Sequence, residues 1–402
     1  MKILQVCNKM PYPPKDGGAI ATWSMTRSFA DLGHDITVLA MNTSKHYCDP
    51  HSIPAHHRER IRFIPVYTNT RIRPLNALAN LVFSRKPYNA QRFVTAAFKS
   101  RLEELLRSET FDVIQLEGLY LAPYLPVIRK HSEALVSMRA HNIEHEIWQR
   151  TAAQCKGMKK RYLHDLAGRI RRMEYHFMNR FDAVVPITLR DLNKLRDMGC
   201  HIPAHVAPTG IFPDALKPDH STRAYPSVFH IGALDWGPNQ EGILWFVEKV
   251  WPEITMQFPN LKFYIAGRNA PRWIRSLSGK NIRFAGEVED AYDFMRSGAI
   301  MVVPLLSGSG MRIKIIEGMA LGKSIVTTSV GTEGIPTCNG KNIIIADTPQ
   351  EFTAGIRLLL ENFDTFEQMG QEATRFIRDR FNNEKISASL LKFYEENRYA
   401  VR

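Results

Sequence analysis

The sequence predicts an α/β protein of two βα domains, each a doubly wound parallel sheet, facing each other across a crevice and followed by C-terminal helices. Three observations predict this. Short apolar runs alternate with amphipathic helical segments through the first 207 residues. The alternation breaks in a polar, proline-containing stretch, Pro213-Asp214-Ala215-Leu216-Lys217-Pro218-Asp219, and it restarts at Val228.

In order, the first half offers strands over residues 2–7, 35–40, 61–66, 112–116, 135–139, 183–187 and 205–207, with helices such as 19–32, 91–107 and 189–198 between them. The second half offers strands over 228–231, 262–266, 281–284, 300–305, 325–328 and 342–346. Its helices are 241–256, 291–295 and 312–321, and helices over 349–361, 363–381 and 384–396 close the chain. The expected domains are 1–215 and 216–382, with a C-terminal helix, 383–402, packing back on the first.

At 402 residues, 44% hydrophobic and 23% charged, the chain has an ordinary globular composition with room for two cores. Its five cysteines are scattered and never form a C-x-x-C pair, which argues against a disulfide framework or a structural zinc site and fits a reducing cytoplasm. The N-terminal apolar run is too short for a signal peptide, and no stretch approaches the roughly 18 apolar residues that span a bilayer. The net charge of +13 is unevenly placed. Residues 1–215 hold 31 Lys+Arg against 19 Asp+Glu, or +12, and the remainder hold 22 against 21, or +1. The two halves therefore face different partners.

The most informative stretch runs from Ser307 to Gly322, after one apolar run and before another. Gly308, Ser309 and Gly310 let backbone approach a ligand, and the helix that follows offers N–H groups and a positive dipole end to an anion. Met311 lies in that loop, Arg312 and Lys314 add cations, and Glu317, one turn on, can accept two hydrogen bonds from a ribose diol. Together these describe a nucleotide-diphosphate site; the plain alternative is a glycine turn with a solvated glutamate.

Other candidates lie at strand ends, where open α/β sheets bind ligands. Gly17 and Gly18 precede the first helix and can turn N–H groups toward an anion, or merely form a turn. His141 follows a strand and can bond sugar hydroxyls or move a proton, or else begin a helix capped by Asn142. Asn239 follows the turn Gly232–Pro238, near a ligand or as a helix cap. Arg268 ends another strand, facing phosphate or solvent. Between residues 156 and 181, Tyr162, Leu166, Ile170, Met173 and Phe177 recur every three or four positions. Lys156, Lys159, Lys160, Arg161, Arg169, Arg171 and Arg172 crowd the others. This is a core-facing helix whose basic face is either solvated or rests on an anionic membrane.

From Gly17-Gly18 and Gly33-His34 through His141 to the block 310–334, with Gly331-Thr332-Glu333-Gly334, the chain resembles the retaining glycosyltransferases of family 4, most of all their bacterial surface-polysaccharide members. The resemblance implies a GT-B fold of two Rossmann-like domains, with the nucleotide-diphosphate sugar on the C-terminal domain and a glycan or lipid-linked acceptor on the N-terminal one. It implies that Glu317 holds the ribose and that the 308–311 backbone contacts phosphate and sugar. It also implies that Gly286, Glu287 and Val288 lie near the base, and that His141 meets the transferred sugar. Two departures stand out. The family's first glutamate, eight positions before Glu317, is here Ser309, and its Arg and Lys pair after the first C-terminal strand is replaced by Ala233-Leu234-Asp235-Trp236. Arg268, Arg312 and Lys314 are the substitutes expected to neutralise the diphosphate.

None of the 17 aspartates has another two positions away, so a D-x-D metal pair is lacking and no metal or other cofactor is expected. Helix dipoles, amides and cations would stabilise the leaving diphosphate instead. The expected location is the cytoplasm, peripheral on the inner face of its membrane. Alternatives are a sugar-nucleotide epimerase of similar fold and a basic nucleic-acid- or membrane-binding protein without catalysis. No recognised nucleic-acid module supports a nucleic-acid partner, and the first βα turn lacks the G-x-G-x-x-G of a dehydrogenase.

Overall fold

A computed structural model describes residues 1–44, 46–71, 79–81, 83–279, 281–308 and 310–398. They form two compact units: Met1–Gly210 with the C-terminal residues from Asn383, and Ile211–Asn382.

The first unit is built on six parallel strands in the order β3-β2-β1-β4-β5-β6. These are β1 Lys2–Cys7, β2 Asp35–Thr43, β3 Ile61–Thr68, β4 Val113–Glu117, β5 Leu135–Ala140 and β6 Ala183–Pro186. Its principal helices are α1 Gly17–Asp31, α2 Ala96–Ser108, α3 Leu125–His131, α4 Glu144–Ala153, α5 Gly157–Phe177 and α6 Leu189–Asp197. Helices cover both faces, so β4 and β5 are buried along their whole length. The chain leaves β1 for β2 on one side, while β4 lies on the other. The connections that leave their carboxyl ends therefore diverge, and a crevice opens there.

The second unit repeats the plan in the order β12-β11-β10-β7-β8-β9. Its strands are β7 Val228–Ile231, β8 Phe263–Ala266, β9 Ile282–Gly286, β10 Ile300–Val303, β11 Ser324–Thr327 and β12 Ile344–Ile345. Its principal helices are α7 Gly237–Trp245, α8 Trp251–Gln257, α9 Ala291–Ser297, α10 Ile313–Ala320, α11 Pro349–Glu361 and α12 Phe363–Arg380. Thr348 and Glu351 form a reciprocal capping box at the start of α11. The chain then returns to the first unit as α13, Asn383–Arg398, which buries Ser387, Leu390, Leu391 and Tyr394 at helical spacing against α1 and β5. Among the described residues no helix is long and apolar enough to cross a membrane.

Three sequence expectations change. Residues 205–207 run beside β6 without forming a strand: His205 and Ala207 donate to Val184 and Pro186, but Pro186 has no N–H to return, so the ladder stops. The helix expected over 241–256 is broken by a π turn, Phe246–Val250, ahead of Pro252, whose missing N–H removes a helical hydrogen bond. Arg169 leaves the basic face of α5. It shares a stripe with Leu166, Ile170 and Met173, is buried, pairs with Asp165 at 2.6 Å and donates to the carbonyls of Asn80, Leu81 and Ser84. Lys156, Lys159, Lys160, Arg161, Arg171 and Arg172 are exposed.

Candidate functional site

In the second unit the loop from Ser307 enters α10 at Arg312, the N-cap, whose own side chain makes no capping hydrogen bond. Its first amides thus remain directed toward an incoming acceptor. Gly308 and Gly310 have φ of +121° and +78°, and a Cβ on Gly308 would stand 2.8 Å from the Arg312 guanidinium. Arg312 is buried, donates to the Gly310 carbonyl at 2.6 Å and lies 5.6 Å from the centre of the Trp236 ring. Ser309 lies outside the described residues.

Lys314 ties α10 to the end of β7. Its Nζ donates to Asn239 Oδ1 at 2.8 Å, and the Asn239 amide donates to the Ala233 carbonyl at 2.8 Å. Asn239 is therefore no helix cap; it sits inside α7 and braces the lysine. Burial, and next the charge of Arg312, push the Lys314 ammonium down to about 7. Glu317 accepts the Tyr292 hydroxyl at 2.9 Å, yet burial outweighs that bond and pushes its carboxyl up to about 7. Val288 packs in one cluster with Tyr292, Met311 and Ile313, just beyond Gly286 at the end of β9, while Glu287 points to solvent. The Arg268 carbonyl takes the Leu234 N–H at 3.0 Å, which fastens the 232–239 turn to the end of β8. This unit thus gathers Asn239, Arg312 and Lys314 about the start of α10, and Val288 and Met311 beside it. Glu317 lies one turn further along.

Gly17, Gly18 and His141 belong to the first unit. There the α1 start already has an anion: the Asp16 carboxylate accepts the Ala19 N–H at 2.9 Å and pairs with Lys9 at 2.5 Å. Burial opposes ionisation of Asp16, but Lys9 and the amide bond bring its pKa below the usual value. A cavity of about 260 Å³ opens at the ends of β1, β4 and β5, lined by Lys9, Gly18, Glu117, Tyr120, His141 and Glu144 among others.

His141 Nε2 lies 2.7 Å from Glu117 Oε2. Burial alone would raise the Glu117 carboxyl, but the buried Arg139 charge and the His141 and Gln115 hydrogen bonds bring it to about 2. An ionised carboxylate only accepts, so His141 donates from Nε2. Burial holds the imidazole pKa below its ordinary value although Glu117 pulls it up. At the opposite wall, burial lifts the Glu144 carboxyl to about 7; the Tyr120 hydroxyl bond lowers it and the Glu174 charge raises it. Asn142 caps nothing: Glu174, reaching from α5, accepts the Glu144 and His145 amides at 2.8 and 3.3 Å.

Glu117, Arg139, Tyr120, Glu144, Trp236 and Tyr292 escaped the sequence reading. A signal existed for some of them. Gln115 and Glu117, and likewise Ser137 and Arg139, are polar pairs two apart within otherwise apolar strand runs. That spacing places each pair on one face of a buried sheet.

Residues 15–215 match the family model described as Glycosyltransferase Family 4, and residues 225–362 match that described as Glycosyl transferases group 1. An "uncharacterized 44.6 kDa protein in cps region" of Klebsiella pneumoniae is 24% identical over 415 residues, spanning 97% of this chain and 99% of that one. Among solved structures, the sucrose-phosphate synthase of Thermosynechococcus elongatus superposes with a TM-score of 0.74 at 16% identity, covering 100% of both chains. Anabaena HepE, solved in complex with UDP, superposes with a TM-score of 0.69 at 13% identity, covering 98% of this chain and 100% of that one. At such identities these likenesses speak for the fold alone. With the family 4 model across its first half, the group 1 model across most of the second unit and two doubly wound sheets, the chain is a glycosyltransferase of family 4 with the GT-B fold.

Proposed function

We propose that the protein transfers a sugar from a nucleotide-diphosphate donor to a glycan or lipid-linked acceptor, with retention of anomeric configuration and without a metal, in surface polysaccharide synthesis. One observation carries the donor half: a helix start whose N-cap residue makes no side-chain capping bond, flanked by Arg312 and Lys314, with the half-buried Glu317 carboxylate one turn on. Amides and cations suit a diphosphate, and the carboxylate suits a ribose diol. The HepE structures with UDP and with UDP-glucose support a donor of this class, and the Klebsiella relative from a cps region supports the polysaccharide context.

In the proposed reaction the C1–O bond to the diphosphate breaks and its electron pair stays with phosphate, where Arg312 and Lys314 stabilise the charge. The acceptor oxygen forms the new C1–O bond on the same face, and its proton passes to the departing phosphate. The acceptor is assigned to the first unit, whose exposed Lys156, Lys159, Lys160, Arg161, Arg171 and Arg172 suit the anionic inner face of the cytoplasmic membrane.

A thermal-shift screen of sugar nucleotides tests the donor, since a ligand at 100 times its Kd adds about 2.7 kcal/mol of apparent stability. The stabilising donor is then incubated with glycan or lipid-linked acceptors, with and without EDTA, and the product anomer is read by NMR. No stabilising donor and no transfer would refute the reading. An inverted product would refute retention, and loss of transfer in EDTA would refute metal independence.

A further inference from the structure

A buried hydrogen-bond chain runs from the C-terminal helix to His141, all within the first unit. The Tyr394 hydroxyl, on α13, lies 2.7 Å from Gln115 Oε1 and 3.1 Å from Ser137 Oγ. Gln115 Nε2 lies 2.5 Å from Glu117 Oε1. Glu117 Oε2 receives Thr22 Oγ1 at 3.0 Å and His141 Nε2 at 2.7 Å, with the Arg139 guanidinium at 3.6 Å. Gln115, Ser137 and Tyr394 are fully buried, and Glu117, Arg139 and Thr22 nearly so.

This chain has one direction. Glu117 is ionised and can only accept, so Gln115 must turn its amide N–H to it and its carbonyl to Tyr394, which must donate. By the same logic His141 carries its proton on Nε2. Its Nδ1 is then a bare lone pair, and it is buried with no hydrogen-bond partner among the described residues. His141 lines the cavity, whose polar lining also includes Asn8, Lys9, Tyr120, Asn142 and Glu144. A neutral acceptor nitrogen at such a wall suits a hydroxyl hydrogen better than an anion or a cation.

We propose that Glu117, braced by Gln115 and Tyr394, is a positioning residue that locks His141 in the Nε2–H tautomer, so that Nδ1 accepts a hydrogen bond from a sugar hydroxyl entering the cavity. The inference rests on the glycosyltransferase reading for its ligand and on the side-chain geometry for the tautomer. The α13 helix becomes part of the site without touching substrate, because its Tyr394 hydroxyl holds the carbonyl end of the Gln115 amide that Glu117 orients. The charged and titratable groups about His141 are Glu117 on β4, Arg139 on β5, Cys7 on β1, Lys9 and Asp16 before α1, and Tyr120 and Glu144 across the cavity.

Two measurements test this separately. Long-range 15N–1H spectra of the full-length protein labelled at histidine, with His141→Ala to assign the signal, read the tautomer without any need for turnover. The wild type is expected to show protonated Nε2 and bare Nδ1. In Glu117→Gln the new amide can donate to Nε2, so the Nδ1–H form is expected to appear. In transfer assays Glu117→Gln is expected to lose about 10–100-fold in kcat with the donor Kd unchanged, and Tyr394→Phe severalfold. An Nδ1–H wild type would overturn the inference whatever the activity. So would a Glu117→Gln protein with wild-type kcat in a transferring enzyme. Should Glu117→Gln fail to fold, the wild-type spectrum and Tyr394→Phe still decide. An enzyme with the expected tautomer but no transfer to any sugar acceptor would refute the proposed function and the hydroxyl ligand, while leaving the lock intact.

Discussion

Donor affinity is expected to follow a bell in pH, because the two groups best placed to hold a sugar nucleotide titrate in opposite senses about the same point. Glu317 must be ionised to accept the ribose hydroxyls, and burial sets its carboxyl at about 7. Lys314 must be protonated to attract phosphate, and burial with Arg312 sets its ammonium at about 7. Below neutrality the first requirement fails and above it the second does. The neighbours do not blur this. Burial drives His230 well below its usual value, so it stays neutral, and burial with Glu317 drives the Tyr292 hydroxyl well above its usual value. A sugar nucleotide has no phosphate that titrates in the range. Treating the sites as independent, affinity peaks near neutrality and falls about 3-fold one unit away and about 25-fold two units away on either side. Glu317→Gln should weaken binding near neutrality by roughly 2–3 kcal/mol and abolish the acid limb, leaving an affinity that only falls as pH rises. Titration calorimetry across this range checks both. A flat wild-type profile, or an acid limb that survives in Glu317→Gln, would place Glu317 outside the donor site.

His141→Ala should lose turnover far more than donor affinity, since His141 lies in the unit assigned to the acceptor; equal rates of variant and parent at saturating donor and acceptor would sink that role. Gly267→Ala should destabilise the second unit by about 3 kcal/mol or more, because φ is +153° and a Cβ would stand 1.8 Å from the Gly232 carbonyl oxygen; an unchanged urea midpoint would contradict this. The first unit should bind anionic liposomes reversibly, with each basic residue at the surface adding about 1 kcal/mol. Met158 and Phe83, both strongly exposed, offer apolar contacts beside that charge. Sedimentation that ignores both salt and the change of Lys159, Lys160, Arg171 and Arg172 to Gln would reduce the basic face to solvated surface.

The alternation of apolar runs and amphipathic segments settled the architecture from sequence alone, because a strand buried on both faces must be apolar and a helix lying on it needs one apolar stripe. The same local rules made the Gly308–Glu317 segment legible, since its glycines, cations and carboxylate are neighbours in the chain. The first-unit cavity was not legible in that way. His141 could be found at its strand end, but Glu117, Thr22, Gln115 and Tyr394 lie 24, 119, 26 and 253 positions away. They meet only because β4 pairs with β5, α1 covers the sheet and α13 returns to it. Arg169 and Glu174 teach the same lesson: spacing placed both on one helix, but only packing buried one against carbonyl groups and made the other the cap of α4. Sequence determines which faces must be buried. Which polar group meets which is decided by tertiary structure, because a buried donor or acceptor takes its partner from whatever the fold brings within hydrogen-bond reach.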